Sequence, residues 1–174
     1  MSRLRILSRG AEYSEKNGQT LLASYQLAKY ARAAARLGFH DDAISAEAKS
    51  IYLGSDNPVN INTAAMALIR EGRFDVAERL LEKLATEHPD QAYFKNWLIA
   101  LLNLESYQKG LIQTRHYNRS FPQDPDGHAL TAIMRIGSRD PEVGQYLDSL
   151  NAVFPDHLEI KNLSEEISAV SPLP

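Results

Sequence analysis

Apolar residues recur along this chain at steps of three and four, with polar residues filling the positions between. Ile61, Ala64, Ala65 and Leu68 form one such stripe, and Ala77, Leu80, Leu81 and Leu84 form the next. That period is the mark of helices with one buried face. Val, Ile and Thr nowhere alternate with polar residues at a two-residue step, so strands are not expected. Between the two stripes, Gly72 suits the left-handed residue that ends a helix. Asp75, with Glu78 three residues on, has the spacing of an N-cap, and Pro89 terminates the second helix. A later stretch follows the same logic, with Asp140 as cap, Pro141 at the first helical position, and Leu147 and Leu150 facing inward.

These helix pairs repeat. Pro89, Pro122 and Pro155 are 33 residues apart, each in a polar turn after an apolar-periodic stretch. Ala43, Ala77, Gly110 and Val143 follow steps of 34, 33 and 33, and so does the turn set Gly38, Gly72, Glu105 and Ser138. Three markers in register indicate repeated helix–turn–helix units. After the last of them, Ile160, Leu163, Ile167 and Val170 share one helical face, with Glu159, Lys161, Glu165 and Glu166 elsewhere. A terminal helix of that kind covers the stacking face that a last repeat otherwise exposes.

A large residue, an apolar–small pair, a turn glycine, a small residue and a closing proline together resemble the tetratricopeptide repeat. The second unit carries this pattern through Ile61, Ala64, Ala65, Leu68, Gly72, Phe74, Ala77, Leu81, Leu84 and Pro89. The third carries it through Phe94, Trp97, Leu98, Leu101, Tyr107, Gly110, Tyr117 and Pro122, with Trp97 and Tyr107 expected in the core. The fourth keeps Leu130, Met134, Val143, Leu147, Leu150 and Pro155 but has Gly127 where a large residue is usual. The first keeps Tyr30, Ala31, Gly38 and Ala43, departs at Glu47 and Ser50, and closes late at Pro58. The resemblance implies an all-α fold, a right-handed superhelix of about four tetratricopeptide-like repeats with a C-terminal capping helix. The solenoid is expected over residues 17–170, with a short tail at 171–174. Residues 1–16 read as a tail, a partial helix or the remnant of something longer.

Composition narrows the chemistry. At 174 residues, 44% hydrophobic and 24% charged, the chain fits one globular domain and is too apolar for a disordered one. It has no cysteine, which excludes disulfides, thiolate catalysis and cysteine-ligated metals. No signal-peptide core and no apolar run of the roughly 20 residues needed to span a bilayer is present, so a soluble cytoplasmic protein is expected. His40, His88 and His157 fall in turns beside Asp41, Pro89 and Asp156, where capping or solvation explains them. The stretch Asp124–Gly127 has part of a calcium loop without its remaining ligands and reads as a turn between repeats. No metalloprotease pair, nucleophile elbow or phosphate-binding glycine loop occurs. Neither catalysis nor a cofactor is expected.

Charge is distributed unevenly. The windows expected to hold the first helix of each unit (17–40, 58–70, 91–104 and 127–139) contain no Asp or Glu, where composition alone would place about eight. They contain Lys29, Arg32, Arg36, Arg70, Lys95, Arg135 and Arg139, and so carry +7 while the rest of the chain carries −10. Long cationic stems that reach past apolar neighbours, and N-cap preference for acids elsewhere, account for part of this. A surface kept free of carboxylates to receive an acidic segment also accounts for it.

In the tetratricopeptide family the first helices line a concave groove. That register implies peptide contacts from Lys29 and Arg32, beside Tyr25, in the first unit, and from Asn62, Met66 and Arg70 in the second. The third and fourth add Lys95, Asn96, Asn103, His128 and Arg135, beside Ile99. Asparagine amides both donate to and accept from a peptide backbone, and Lys and Arg neutralise carboxylates. The arrangement is similar in kind, though not position by position, to the carboxylate clamps of chaperone-binding members. It implies a scaffold, adaptor or chaperone that binds an acidic or extended peptide of another protein, without nucleic acid or membrane insertion, and with a homo-oligomer open. Two alternatives share the fold: a type III translocator-like chaperone, and a regulatory region of a larger enzyme such as a glycosyl- or sulfotransferase.

Overall fold

The structure, a computed structural model, describes residues 3–55 and 57–170. Ten helices follow one another in these residues. They are α1 (Arg3–Lys16), α2 (Thr20–Arg36), α3 (His40–Leu53), α4 (Pro58–Arg70), α5 (Phe74–Glu87), α6 (Gln91–Asn103), α7 (Tyr107–Ser120), α8 (Pro125–Gly137), α9 (Val143–Val153) and α10 (Leu158–Val170). The protein is an all-α helical repeat, in which α2 packs on α3, α4 on α5 and α8 on α9, with α10 packed on α9 after them. The expected tail at 171–174 and the side chain of Val170 lie outside the described residues. Residues 3–16 are helical, and α1 packs on α2. The chain divides into two compact units, Met1–Ala100 and Leu101–Pro174.

Five of the turns share one local solution. Gly18, Gly38, Gly72, Glu105 and Arg139 all have positive φ. In each, the N–H one residue later reaches back to a carbonyl of the preceding helix: Gln19 to Ser14 at 2.8 Å, Phe39 to Ala34 at 3.0 Å, Arg73 to Leu68 at 2.9 Å, Ser106 to Leu101 at 3.0 Å and Asp140 to Arg135 at 3.0 Å. These are Schellman closures, which satisfy carbonyls that a helix end leaves open. The fourth turn pivots on Arg139, one residue beyond the expected Ser138, because Ser138 remains right-handed as the C-cap of α8.

In three of the other turns a proline stops the helix. His88, Phe121 and Phe154 are the C-caps of α5, α7 and α9, immediately before Pro89, Pro122 and Pro155. Two helices that follow such turns are capped from a side chain. Asn57 accepts from the Val59 N–H at 2.9 Å with Pro58 in the first helical turn, and Asp90 accepts from the Ala92 N–H at 2.8 Å. Asp140 accepts from the Glu142 N–H at 2.9 Å, although regular helix begins only at Val143. The expected cap at Asp75 is displaced: α5 starts at Phe74 with Arg73 as N-cap, and Asp75 bonds only its neighbour's N–H, on Val76.

In the first unit α1, α2 and α3 pack through small residues, Ala11, Ala23, Ala31, Ala34, Ala43, Ala46 and Ala48, all buried. Such contacts bury little apolar area, and polar clasps supplement them. Ser24 Oγ donates to the Ser50 carbonyl and Ser50 Oγ to the Ser24 carbonyl, both at 2.8 Å, which explains the serine at an ordinarily apolar position. Glu47, the other departure, takes a two-pronged bond from Arg73 at 2.9 and 2.5 Å. Further along, Val76, Leu80, Leu81, Leu84, Trp97 and Leu98 form a larger-residue core. Trp97 Nε1 donates to Glu78 at 3.0 Å inside it.

In the second unit Ala129, Ala132, Val143, Leu147, Leu150 and Ile160 form the core, with Leu163 and Ile167 of α10 packed against it. Tyr107, expected in the core, is partly buried. Gly127 has a steric reason: a Cβ there would run into the ring of the fully buried Tyr117, which fills the space a large residue usually takes. The hydroxyl of Tyr117 bonds the Asp124 carboxylate, and Asp126 pairs with His157 at 3.1 Å. The Asp124–Gly127 stretch therefore opens α8, and its acids serve the turns around it.

Candidate peptide-binding site

In the first unit, the exposed face of α2 carries a continuous stripe. Leu21, Tyr25, Lys29, Arg32 and Arg36 succeed one another at steps of four, four, three and four, which keeps them on one side of the helix. Leu21 is 73% exposed and Tyr25 55%, high values for such large apolar groups. Beside the stripe lies a depression of about 460 Å³ lined by Leu7 of α1 and by Lys29, Arg32, Ala33, Arg36 and Leu37. No carboxylate lines it. Arg32 Nε donates to the Ala28 carbonyl at 3.2 Å, which orients the guanidinium along the helix. The Lys29 ammonium stands 4.2 Å from the centroid of the Tyr25 ring. As the nearest donor and cation, Lys29 holds the Tyr25 phenol below the ordinary tyrosine value.

The structure treats the remaining expected residues differently. Asn62 and Asn96, one repeat apart, bond each other through Nδ2 of Asn96 and Oδ1 of Asn62 at 2.8 Å, leaving the Asn96 carbonyl and the NH2 group of Asn62 for a ligand. Lys95 and Asn96 line a second depression of about 420 Å³ with Asp90, Gln91 and Ala92, so the cap of α6 brings a carboxylate to that surface. Met66 is half-buried on α4, and Arg70 is exposed in its last turn. Asn103 is exposed at the end of α6, in the second unit.

His128 and Arg135, also in the second unit, line a cleft of about 300 Å³ with Thr114, Arg115, Asn118, Arg119, Thr131 and Tyr146. The His128 ring lies 3.1 Å from the Pro122 carbonyl and 3.3 Å from the Tyr146 hydroxyl. Arg135 pairs with Asp140 at 3.2 Å and stacks 4.4 Å over the Tyr146 ring. Burial raises the Tyr146 phenol above its ordinary value, against smaller opposing effects of Thr131 and Arg135. The sequence reading missed Arg115 and Arg119, because it placed cationic surface on first helices alone. A signal was available: α7 contains no Asp or Glu but holds Lys109, Arg115 and Arg119. Conversely α8, begun at Pro125, includes Asp126, so not every first helix is free of carboxylates.

Among the described residues, no three His, Asp or Glu are grouped to hold a metal ion, and no helix is long and apolar enough to cross a membrane. No protein-family model matches the chain, and no curated protein matches it significantly. A solved structure, the MamA RS-1 ArsTM double mutant, is similar in fold. It is 14% identical with a TM-score of 0.51, over 97% of this chain and 98% of that one. That protein is a tetratricopeptide-like helical protein, and the likeness supports a tetratricopeptide-like helical repeat here.

Proposed function

We propose that the protein is an interaction module that holds an acidic, extended segment of another protein, with the α2 stripe as the principal contact. The observation that carries this reading is the coincidence, on one exposed helix face, of apolar Leu21 and Tyr25 with Lys29, Arg32 and Arg36 around a depression without carboxylates. Exposed apolar groups supply contact area, and the cations select acidic side chains and repel basic ones. Asn62, Met66, Arg70, Lys95 and Asn96 extend the surface in the same unit. The fold shared with a tetratricopeptide-like protein favours a binding role over chemistry of its own.

The test is fluorescence anisotropy of the full chain with a labelled peptide of alternating glutamate and leucine, and with its lysine counterpart. Lys29→Glu with Arg32→Glu is expected to weaken the acidic peptide about tenfold, since an exposed charge contact is worth roughly 0.2–1 kcal/mol and reversal adds repulsion. Equal binding of the two peptides would reject the reading.

A further inference from the structure

We propose that the cleft of the second unit binds a phosphate monoester. Four residues of α7 line it, Thr114, Arg115, Asn118 and Arg119, and their spacing sets them on one helix face. His128, Thr131 and Arg135 do the same from α8, and Tyr146 closes the cleft from α9. All eight are polar, and none is a carboxylate.

The walls are already tied together. Asn118 Nδ2 donates to Thr131 Oγ1 at 3.0 Å, and that hydroxyl donates to the Gly127 carbonyl at 2.9 Å. His128 is held between Pro122 and Tyr146, and Arg135 between Asp140 and the Tyr146 ring. With Asp140 balancing Arg135, the charge of the cleft rests on Arg115 and Arg119, which make no ion pair with the described residues. Two guanidiniums one helical turn apart bring a charge of +2 and two planar donor forks. A phosphate monoester brings about −1.5 to −2 at neutral pH and three acceptor oxygens. A carboxylate brings only one charge and leaves one guanidinium unmatched. The room, about 300 Å³, accommodates the phosphate and the group that bears it.

The ester could be a phosphorylated side chain of a partner protein or a small free phosphate ester, and the experiment separates the two. The full chain is titrated by calorimetry, at constant ionic strength, with a phosphoserine peptide, the same peptide with serine or glutamate at that position, and free O-phosphoserine. The phosphopeptide is expected to bind at least about tenfold tighter than the glutamate peptide, and the serine peptide tenfold weaker still. Binding of free O-phosphoserine as tight as that of the phosphopeptide identifies a small ester as the ligand; binding of the phosphopeptide alone identifies a modified side chain.

Arg115→Ala and Arg119→Ala, both at exposed positions, are each expected to lose about tenfold with the helical circular dichroism unchanged. Lys29→Glu with Arg32→Glu, in the other unit, is expected to leave phosphate binding intact, which separates this site from the acidic-segment reading. Equal affinity for phosphoserine and glutamate peptides overturns the proposal. So does unchanged binding by both arginine variants, or loss of phosphate binding on reversal of Lys29 and Arg32.

Discussion

Two single positions show how far local chemistry decides packing in this chain. Glu78 has capping-box spacing in sequence but is buried in the structure, where its carboxylate accepts from the indole of Trp97. A buried indole N–H that loses its acceptor costs about 1–3 kcal/mol, so Glu78→Ala is expected to destabilise by that amount. Glu78→Gln keeps an acceptor and is expected to lose about half as much or less. Urea unfolding followed by Trp97 emission checks both, because the chain has a single tryptophan. Gly127 is the converse case, a small residue required by a large neighbour. Gly127→Ala drives a methyl into the Tyr117 ring and is expected to cost about 1–3 kcal/mol, recovered in part by Tyr117→Leu. At the α2 surface, Tyr25 is expected to ionise below the ordinary value of 10.0, and Lys29→Met to move it back upward. Carbon NMR of the tyrosine ring follows this shift.

At the scale of elements, the repeat was legible because its punctuation is local. Pro89, Pro122 and Pro155 cannot continue a helix, and Gly38 and Gly72 accept a left-handed backbone cheaply, so their spacing marks the helices wherever the chain goes. The register places the fourth turn one residue early, because the step from Glu105 to Arg139 is 34 residues rather than 33 and arginine carries no local turn signature to correct it. The role of Glu78 and the need for Gly127 were not legible, since each depends on a residue brought close by packing. The same holds for the cleft between α7, α8 and α9, whose sides come from three helices.

The last helix was legible from its apolar face, and its consequence is testable. Ile160 is fully buried against Ala129, Ala132, Leu147 and their neighbours, with Leu163 and Ile167 beside it. Ile160→Ala is expected to cost about 2–5 kcal/mol in the unfolding of the second unit. Ile160→Glu is expected to bind the dye ANS where the native chain does not, since it opens the core of that unit to solvent.

For the whole molecule, the formal net charge of −3 sets a constraint on any acidic partner. The protein as a whole does not attract an anion, so binding must come from cations within about one Debye length of the ligand, roughly 8 Å at physiological ionic strength. Two consequences follow for the first unit. Affinity for the acidic peptide is expected to fall as salt rises, and Lys29→Glu with Arg32→Glu to abolish most of that dependence. Arg70 and Lys95 lie on other helices, and Lys95 shares its depression with Asp90. Their joint reversal to glutamate is expected to weaken binding less than reversal on α2, by about threefold, with a shallower salt slope. A joint variant that binds as the native chain does would confine the site to α2. One that loses as much as the α2 variant would show that the first helices of this unit act as a single cationic surface, the reading their shared lack of carboxylates suggested.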